Sequence, residues 1–209
     1  MNIQVKLSAL ALFSIIVITA CGSGSTSPTV DTGTYTVSIT VAPSGKFAYA
    51  ANFGYNNISV YSINAVTGAL TAGTAVAAGT NPYSIDVDPT GKFAYAANWG
   101  SNNISVYGID AITGALTAGT AVAAGTNPAS VAVDPSGKFL YTTNYGSNNI
   151  SVYSIDATTG ALTAGTAVAT GTNPYSIAID PSGKFLYAAN WGLNNISVYS
   201  IDATTGALH

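Results

Sequence analysis

The chain has 209 residues, room for one domain of ordinary size, with five Lys, no Arg, eight Asp, no Glu and one His. A net charge of −3 with no basic cluster excludes nucleic acid as a partner. Apolar residues make up 48%, so the scarcity of charge points to a packed, Gly- and Thr-rich β fold rather than to disorder.

Residues 1–20 read as a lipoprotein signal peptide. Lys6 gives a weakly positive start, and residues 7–18 form an apolar run too short to span a bilayer comfortably. The run ends in Ile18-Thr19-Ala20-Cys21, which resembles the bacterial lipobox, whose Cys becomes the lipidated first residue of the mature protein. Cys21 is the sole Cys, so neither an internal disulfide nor a Cys-rich metal site is available. Residues 21–33 are polar and read as a flexible tether. The expectation is a domain outside the cytoplasm of a bacterial cell, joined through a lipid on Cys21 to an envelope membrane, either the outer membrane or the cell surface.

From residue 34 to 209 the chain is a repeat with a period of 46. The Pro-x-Gly-Lys-Phe box recurs at Pro43, Pro89, Pro135 and Pro181, and the units that start at Asn81 and Asn127 differ at only 11 of 46 positions. Such a period means that each unit is one supersecondary element that needs its neighbours to bury its faces. In the second unit, residues 83–88, 92–98, 104–110 and 115–123 alternate with the period of a strand and are separated by Pro-Thr-Gly, Gly-Ser-Asn-Asn and Ile-Thr-Gly turns. That predicts four strands of five to nine residues and no helix. Both faces of the middle strands are apolar or small, as in sheets packed on both sides. Four-stranded antiparallel units that cover one another radially describe a β-propeller. A β-helix coil usually needs a shorter repeat, and an isolated 46-residue sheet would expose one face. The predicted fold is therefore all-β, a propeller of about four blades at 35–80, 81–126, 127–172 and 173–209, the last one incomplete.

The run PSGKFLYTTNYGSNNISVYSID at 135–156 resembles the repeat of the β-propeller lactonase family, the 6-phosphogluconolactonase-like proteins. It is equally similar to the YVTN-type propeller repeats of bacterial and archaeal surface proteins. The resemblance covers residues 35–208 and implies a blade far more specifically than an activity. It also implies seven blades, where this chain has room for four. The fourth unit stops at Leu208-His209, where its outermost strand should begin. Three accounts compete: a fragment of a longer product, a small ring closed by the N-terminal segment, or self-association of two copies into a ring of about eight blades.

Polar residues sort by repeat position. Lys46, Lys92, Lys138 and Lys184 share one turn; Asp88, Asp134 and Asp180 precede the turn Pro; Asp110, Asp156 and Asp202 share a further turn, with Asn64 as their equivalent. A carboxylate present once per blade at a turn is a backbone cap. Asp86 departs from the pattern, standing on a first strand where other units carry Thr40, Ala132 and Ala178. It is the weak catalytic candidate, with no residue in the sequence to pair with it. Ser-His-Asp and Cys-His arrangements are excluded, because the one His is terminal and the one Cys is the anchor. No metal site or cofactor is called for.

What remains is a face. Loops between second and third strands emerge at the same end of a propeller as loops between blades. They carry Phe53, Trp99, Tyr145 and Trp191 beside Asn98, Asn144 and Asn190, together with Tyr83 and Tyr175. Aromatics beside amides suit neutral ligands such as glycans; the competing expectation is that they plug gaps between blades and cap loops. The sequence thus supports a lipid-anchored binding module for envelope glycan or a protein partner. A lactonase-type hydrolase of sugar lactones and a structural surface protein stand as alternatives.

Overall fold

Each repeat folds into one antiparallel sheet, and the computed structural model, which describes residues 35–209, contains four of them. The first blade comprises β1 (Thr36–Val41), β2 (Phe47–Asn52), β3 (Asn57–Ile63), β4 (Leu70–Ala72) and β5 (Val76–Ala77). The second comprises β6 (Pro82–Val87), β7 (Phe93–Asn98), β8 (Asn103–Ile109), β9 (Leu116–Ala118) and β10 (Val122–Ala123). The third comprises β11 (Pro128–Val133), β12 (Phe139–Asn144), β13 (Asn149–Ile155), β14 (Leu162–Ala164) and β15 (Val168–Ala169). The fourth has β16 (Pro174–Ile179), β17 (Phe185–Asn190) and β18 (Asn195–Ser200), and a lone bridge between Ile201 and Leu208 begins its outer strand. The architecture is all-β and propeller-like, with no helix among the described residues. Cys21, the leader and the tether lie outside the described residues.

One predicted element is corrected. The outer strand expected at 115–123 is two short pieces, β9 and β10, both antiparallel to β8. The break follows Gly119, whose N–H still bonds the Val106 carbonyl of β8 at 2.8 Å; the register then shifts by one residue, from Ala118 opposite Tyr107 to Val122 opposite Ile104. A glycine in a strand often marks a bulge; here Thr120 and Ala121 stand out of the strand before Val122 rejoins β8.

The turns behave as their residue types require. Asp88 is buried, and its Oδ1 accepts the N–H groups of Lys92 and Phe93 at 2.8 and 2.7 Å, while its Oδ2 accepts from Thr90. Asp134 and Asp180 repeat the arrangement. Asp110, Asp156 and Asp202 cap the next turn, and Asn64 does so in the first blade. These carboxylates are committed to the backbone.

The core lies mainly between blades, although a small cluster of Ala48, Ala50 and Tyr61 belongs to the first blade alone. Each of three buried clusters draws on two neighbours; one joins Tyr49, Ile58 and Val60 of the first blade to Ile85, Ala94 and Tyr107 of the second. Two tyrosine locks fasten every interface. Tyr49, Tyr95 and Tyr141 donate forward to the carbonyls of Gly114, Gly160 and Gly206 at 3.0, 3.1 and 2.9 Å. Tyr107, Tyr153 and Tyr199 donate backward to the carbonyls of Ala77, Ala123 and Ala169 at 2.9, 2.8 and 2.6 Å. Glycine is required in the forward lock: Gly160 has φ +71°, and a Cβ there would stand 2.4 Å from the Phe93 ring.

The innermost strands pack in succession, β1 on β6, β6 on β11 and β11 on β16, and no comparable packing joins β16 to β1. The described blades form an open arc rather than a closed ring of four. All their second-to-third-strand loops and interblade loops lie at one end, and that end is the site.

Candidate functional site

The loop end is built by a repeated exchange between neighbouring blades. Asn81, Asn127 and Asn173 take positive φ in the interblade loops, a conformation that asparagine tolerates. Each accepts, at its own carbonyl, the N–H of the aromatic residue in its own blade: Trp99, Tyr145 and Trp191 at 2.9 to 3.0 Å. Each also donates its side-chain amide to the carbonyl of the aromatic one blade back: Phe53, Trp99 and Tyr145 at 2.9, 3.1 and 3.2 Å. Trp99 and Tyr145 are therefore fixed from both sides through the backbone, which leaves their side chains to project over the mouth of the arc.

A second device aims Tyr83 and Tyr175. The pairing of β6 with β7 skips from Pro82 to Ser84, so Tyr83 is the extra residue of a β-bulge. Tyr175 holds the same place between β16 and β17, and Ala129 holds it in the third blade. A bulge re-aims the side chain it inserts. Here it turns Tyr83 and Tyr175 out of the sheets and into the mouth.

The six aromatics of the predicted face come together as one unbroken network. Ring centroids lie 5.8 Å apart for Phe53 and Tyr83, 5.2 Å for Tyr83 and Trp99, 5.1 Å for Trp99 and Tyr145, and 6.0 Å for Tyr145 and Trp191. Tyr175 closes the figure at 5.8 Å from Tyr83 and 6.2 Å from Tyr145. The hydroxyls of Tyr83 and Tyr175 are in direct hydrogen-bond contact. Burial, and secondarily the Tyr175 hydroxyl, push the Tyr83 phenol above its ordinary pKa. Among the described residues the indole N–H groups of Trp99 and Trp191 and the Tyr145 hydroxyl have no protein partner. The face offers apolar rings, free donors and no charged side chain.

Asn98, Asn144 and Asn190 are not part of that surface, which corrects their predicted placement. All three are buried at the ends of β7, β12 and β17. Each paired register, such as Asn98 opposite Asn103, draws the amide inward. Their Nδ2 groups donate to Asn103, Asn149 and Asn195 and to Ser105, Ser151 and Ser197 at 2.8 to 2.9 Å. They brace the loops on which the aromatics stand.

Asp86 occupies the inner strand β6, and it does have partners. One oxygen accepts the N–H of Val87 and the other the N–H of Val133, both at 2.9 Å, so the carboxylate ties β6 to β11. Ser38 and Ser84 make the same kind of bridge between inner strands. Burial pushes the Asp86 pKa up; the two N–H groups oppose the shift, and nearby Asp88 adds to it. The four repeat lysines lie in turns at the opposite end of the blades. Among the described residues there is no group of three His, Cys, Asp or Glu side chains able to hold a metal.

One contributor was missed from the sequence. Ala129 is buried at the bulge where its neighbours carry Tyr83 and Tyr175, and its small side chain leaves the gap over which those two meet. The Tyr-Ala-Tyr succession at 46-residue spacing was its visible signal.

The chain matches the family model described as lactonase, 7-bladed beta-propeller, over residues 18–127 and again over 116–209. Similar solved structures include two proteins provisionally named 6-phosphogluconolactonases. The one from Bacteroides uniformis is 27% identical with a TM-score of 0.78, over 83% of this chain and 52% of that one. The one from Bacteroides fragilis is 30% identical with a TM-score of 0.75, over 82% and 52%. The periplasmic gluconolactonase of Pseudomonas aeruginosa shares the fold at 21% identity and a TM-score of 0.74, over 83% and 52%. The chain thus spans about half the length of these structures. No curated protein matches it.

Proposed function

Because the chain belongs to the seven-bladed β-propeller lactonase family, we propose that it acts on lactones of neutral sugars, taken up at the aromatic mouth of the blades. The observation that carries this reading is the uncharged network of Phe53, Tyr83, Trp99, Tyr145, Tyr175 and Trp191 at the loop end. Rings stack on the apolar face of a sugar ring, and free indole and phenol donors suit its oxygens. A phosphorylated lactone fits less well: the chain has no Arg, and its repeat lysines stand at the far end of the blades. Hydrolysis needs a base for the attacking water. Asp86 is the carboxylate proposed for it, since burial makes it more basic than a surface Asp.

The test is hydrolysis of glucono-δ-lactone and of its 6-phosphate by the purified chain, set against the buffer rate. Turnover of the neutral lactone that falls at least about tenfold in Asp86→Asn is expected. Turnover of the phosphorylated lactone alone would overturn the neutral-substrate assignment, and absence of both the lactonase reading itself.

A non-catalytic binding module for envelope glycan or a protein is the second reading. It is favoured by one observation: both Asp86 oxygens accept backbone N–H groups, as a purely structural carboxylate does. Glycan binding lost in Trp99→Ala and Trp191→Ala, with no turnover of any lactone, is its signature. In either role we infer that the domain works outside the cytoplasm on a lipid at Cys21. Expressed with its own leader in a bacterial host, the chain should partition with membranes, and Cys21→Ala should release it.

A further inference from the structure

We propose that Tyr83 and Tyr175 form a two-hydroxyl clasp over Ala129 that closes the mouth when empty and selects ligands bearing paired hydroxyls when it opens. The proposal rests on the mouth being the ligand site of the reading above, and it adds the residues that set specificity there. Tyr83 and Tyr175 stand on β-bulges two blades apart, and the blade between them presents only Ala129, which is 3% exposed. The two phenols therefore reach over it and bond one another; neither has a second hydrogen-bond partner among the described residues.

The halves of the clasp differ in freedom. Tyr83 is wedged among three rings, Phe53, Trp99 and Tyr175. Among the described residues Tyr175 has ring contacts with Tyr83 and Tyr145 alone. Tyr83, with one ring contact more, is the fixed post, and Tyr175 the arm that swings. An incoming ligand must replace the phenol–phenol hydrogen bond or leave two polar groups unsatisfied. A vicinal pair of hydroxyls on a pyranose supplies both replacements while the sugar ring lies on Trp99 and Tyr145. A ring of the same size without hydroxyls can stack and cannot make that exchange.

The experiment uses two probes that no lactonase consumes, methyl glucoside and tetrahydropyran. Their affinities are read by tryptophan fluorescence of the full chain and of Tyr175→Phe and Tyr83→Phe. Both variants keep every ring contact, and Tyr175 is exposed, so folding is preserved. The expected result is that each variant binds methyl glucoside about tenfold more weakly while tetrahydropyran affinity is unchanged, as for the loss of one hydrogen bond. Failure of the unmodified chain to bind methyl glucoside overturns the clasp, as does an equal change for both probes or no change for either. Lactone hydrolysis by the same proteins separates the two ideas. Discrimination between probes without turnover supports the clasp and sinks the lactonase reading; turnover without discrimination does the reverse.

Discussion

The third and fourth blades present the same four residue types to the blade that would follow, and they meet opposite fates. Phe139, Tyr141, Ile150 and Val152 are at most 5% exposed beneath the fourth blade. Phe185, Tyr187, Ile196 and Val198, each 46 residues further on, are 39% to 64% exposed. Identical side chains on equivalent strands thus become core or surface according to their neighbour. Most burial in this fold belongs to the interfaces between blades, and stability is then approximately a sum of nearest-neighbour terms, as in other repeat architectures.

Matched substitutions break or sharpen that comparison. The largest effect is expected from Phe139→Ala, which removes a ring packed between two blades and should cost about 3–5 kcal/mol. Phe185→Ala, the same change on the uncovered face, should stay within about 0.5 kcal/mol. Urea unfolding of the two variants reads both, and similar losses would mean that each blade is stable by itself.

Next comes the glycine of the forward lock. Gly68 and Gly160 share a φ near +70°, but nothing lies within 4 Å of a Cβ at Gly68, whereas a Cβ at Gly160 meets Phe93. Gly68→Ala should therefore lose only the backbone strain, about 1–2 kcal/mol. Gly160→Ala should lose that and a further ~1–3 kcal/mol of overpacking. Equal losses in the same denaturation experiment would show that the turn, not the interface, demands glycine. A smaller contrast is predicted for the lock hydroxyls. Tyr95→Phe orphans the Gly160 carbonyl and should cost about 1–2 kcal/mol, while Tyr187→Phe should be close to neutral.

The blades and turns were legible because the 46-residue period repeats each device: Asp before Pro caps one hairpin, and Gly114, Gly160 and Gly206 close another. Convergence of the aromatics was legible too, since topology puts both loop sets at one end. The break after Gly119 was not, because Leu-Thr-Ala-Gly-Thr-Ala-Val reads as one strand until the one-residue shift of register between Ala118 and Val122 is seen. Nor was the burial of Asn98, where polar sequence suggested surface and the pairing with Asn103 decided otherwise. The meeting of Tyr83 with Tyr175 depends on bulges, and alternation of residue types does not encode a bulge.

The smallest expected effect concerns charge inside that interface against charge outside it. Asp86 bridges β6 and β11, and burial raises its pKa above the ordinary 3.8. A carboxylate raised on folding favours the native state fully below its unfolded value, and that contribution is lost as pH rises through its folded value. The exposed turn carboxylates run the other way: hydrogen bonds from Ser182 and from backbone N–H groups hold Asp180 at about 2, and Asp110, Asp156 and Asp202 are also lowered. Their contribution is complete above 3.8 and disappears as pH falls toward their folded values. On acidification from neutrality the urea midpoint should therefore first rise, as Asp86 takes up its proton, and then fall once the turn carboxylates begin to protonate. Asp86→Asn should remove the rise and leave the fall. A rise that survives in Asp86→Asn would mean that the bridge between the inner strands carries its charge without penalty, and that the interface is wetter than its packing implies.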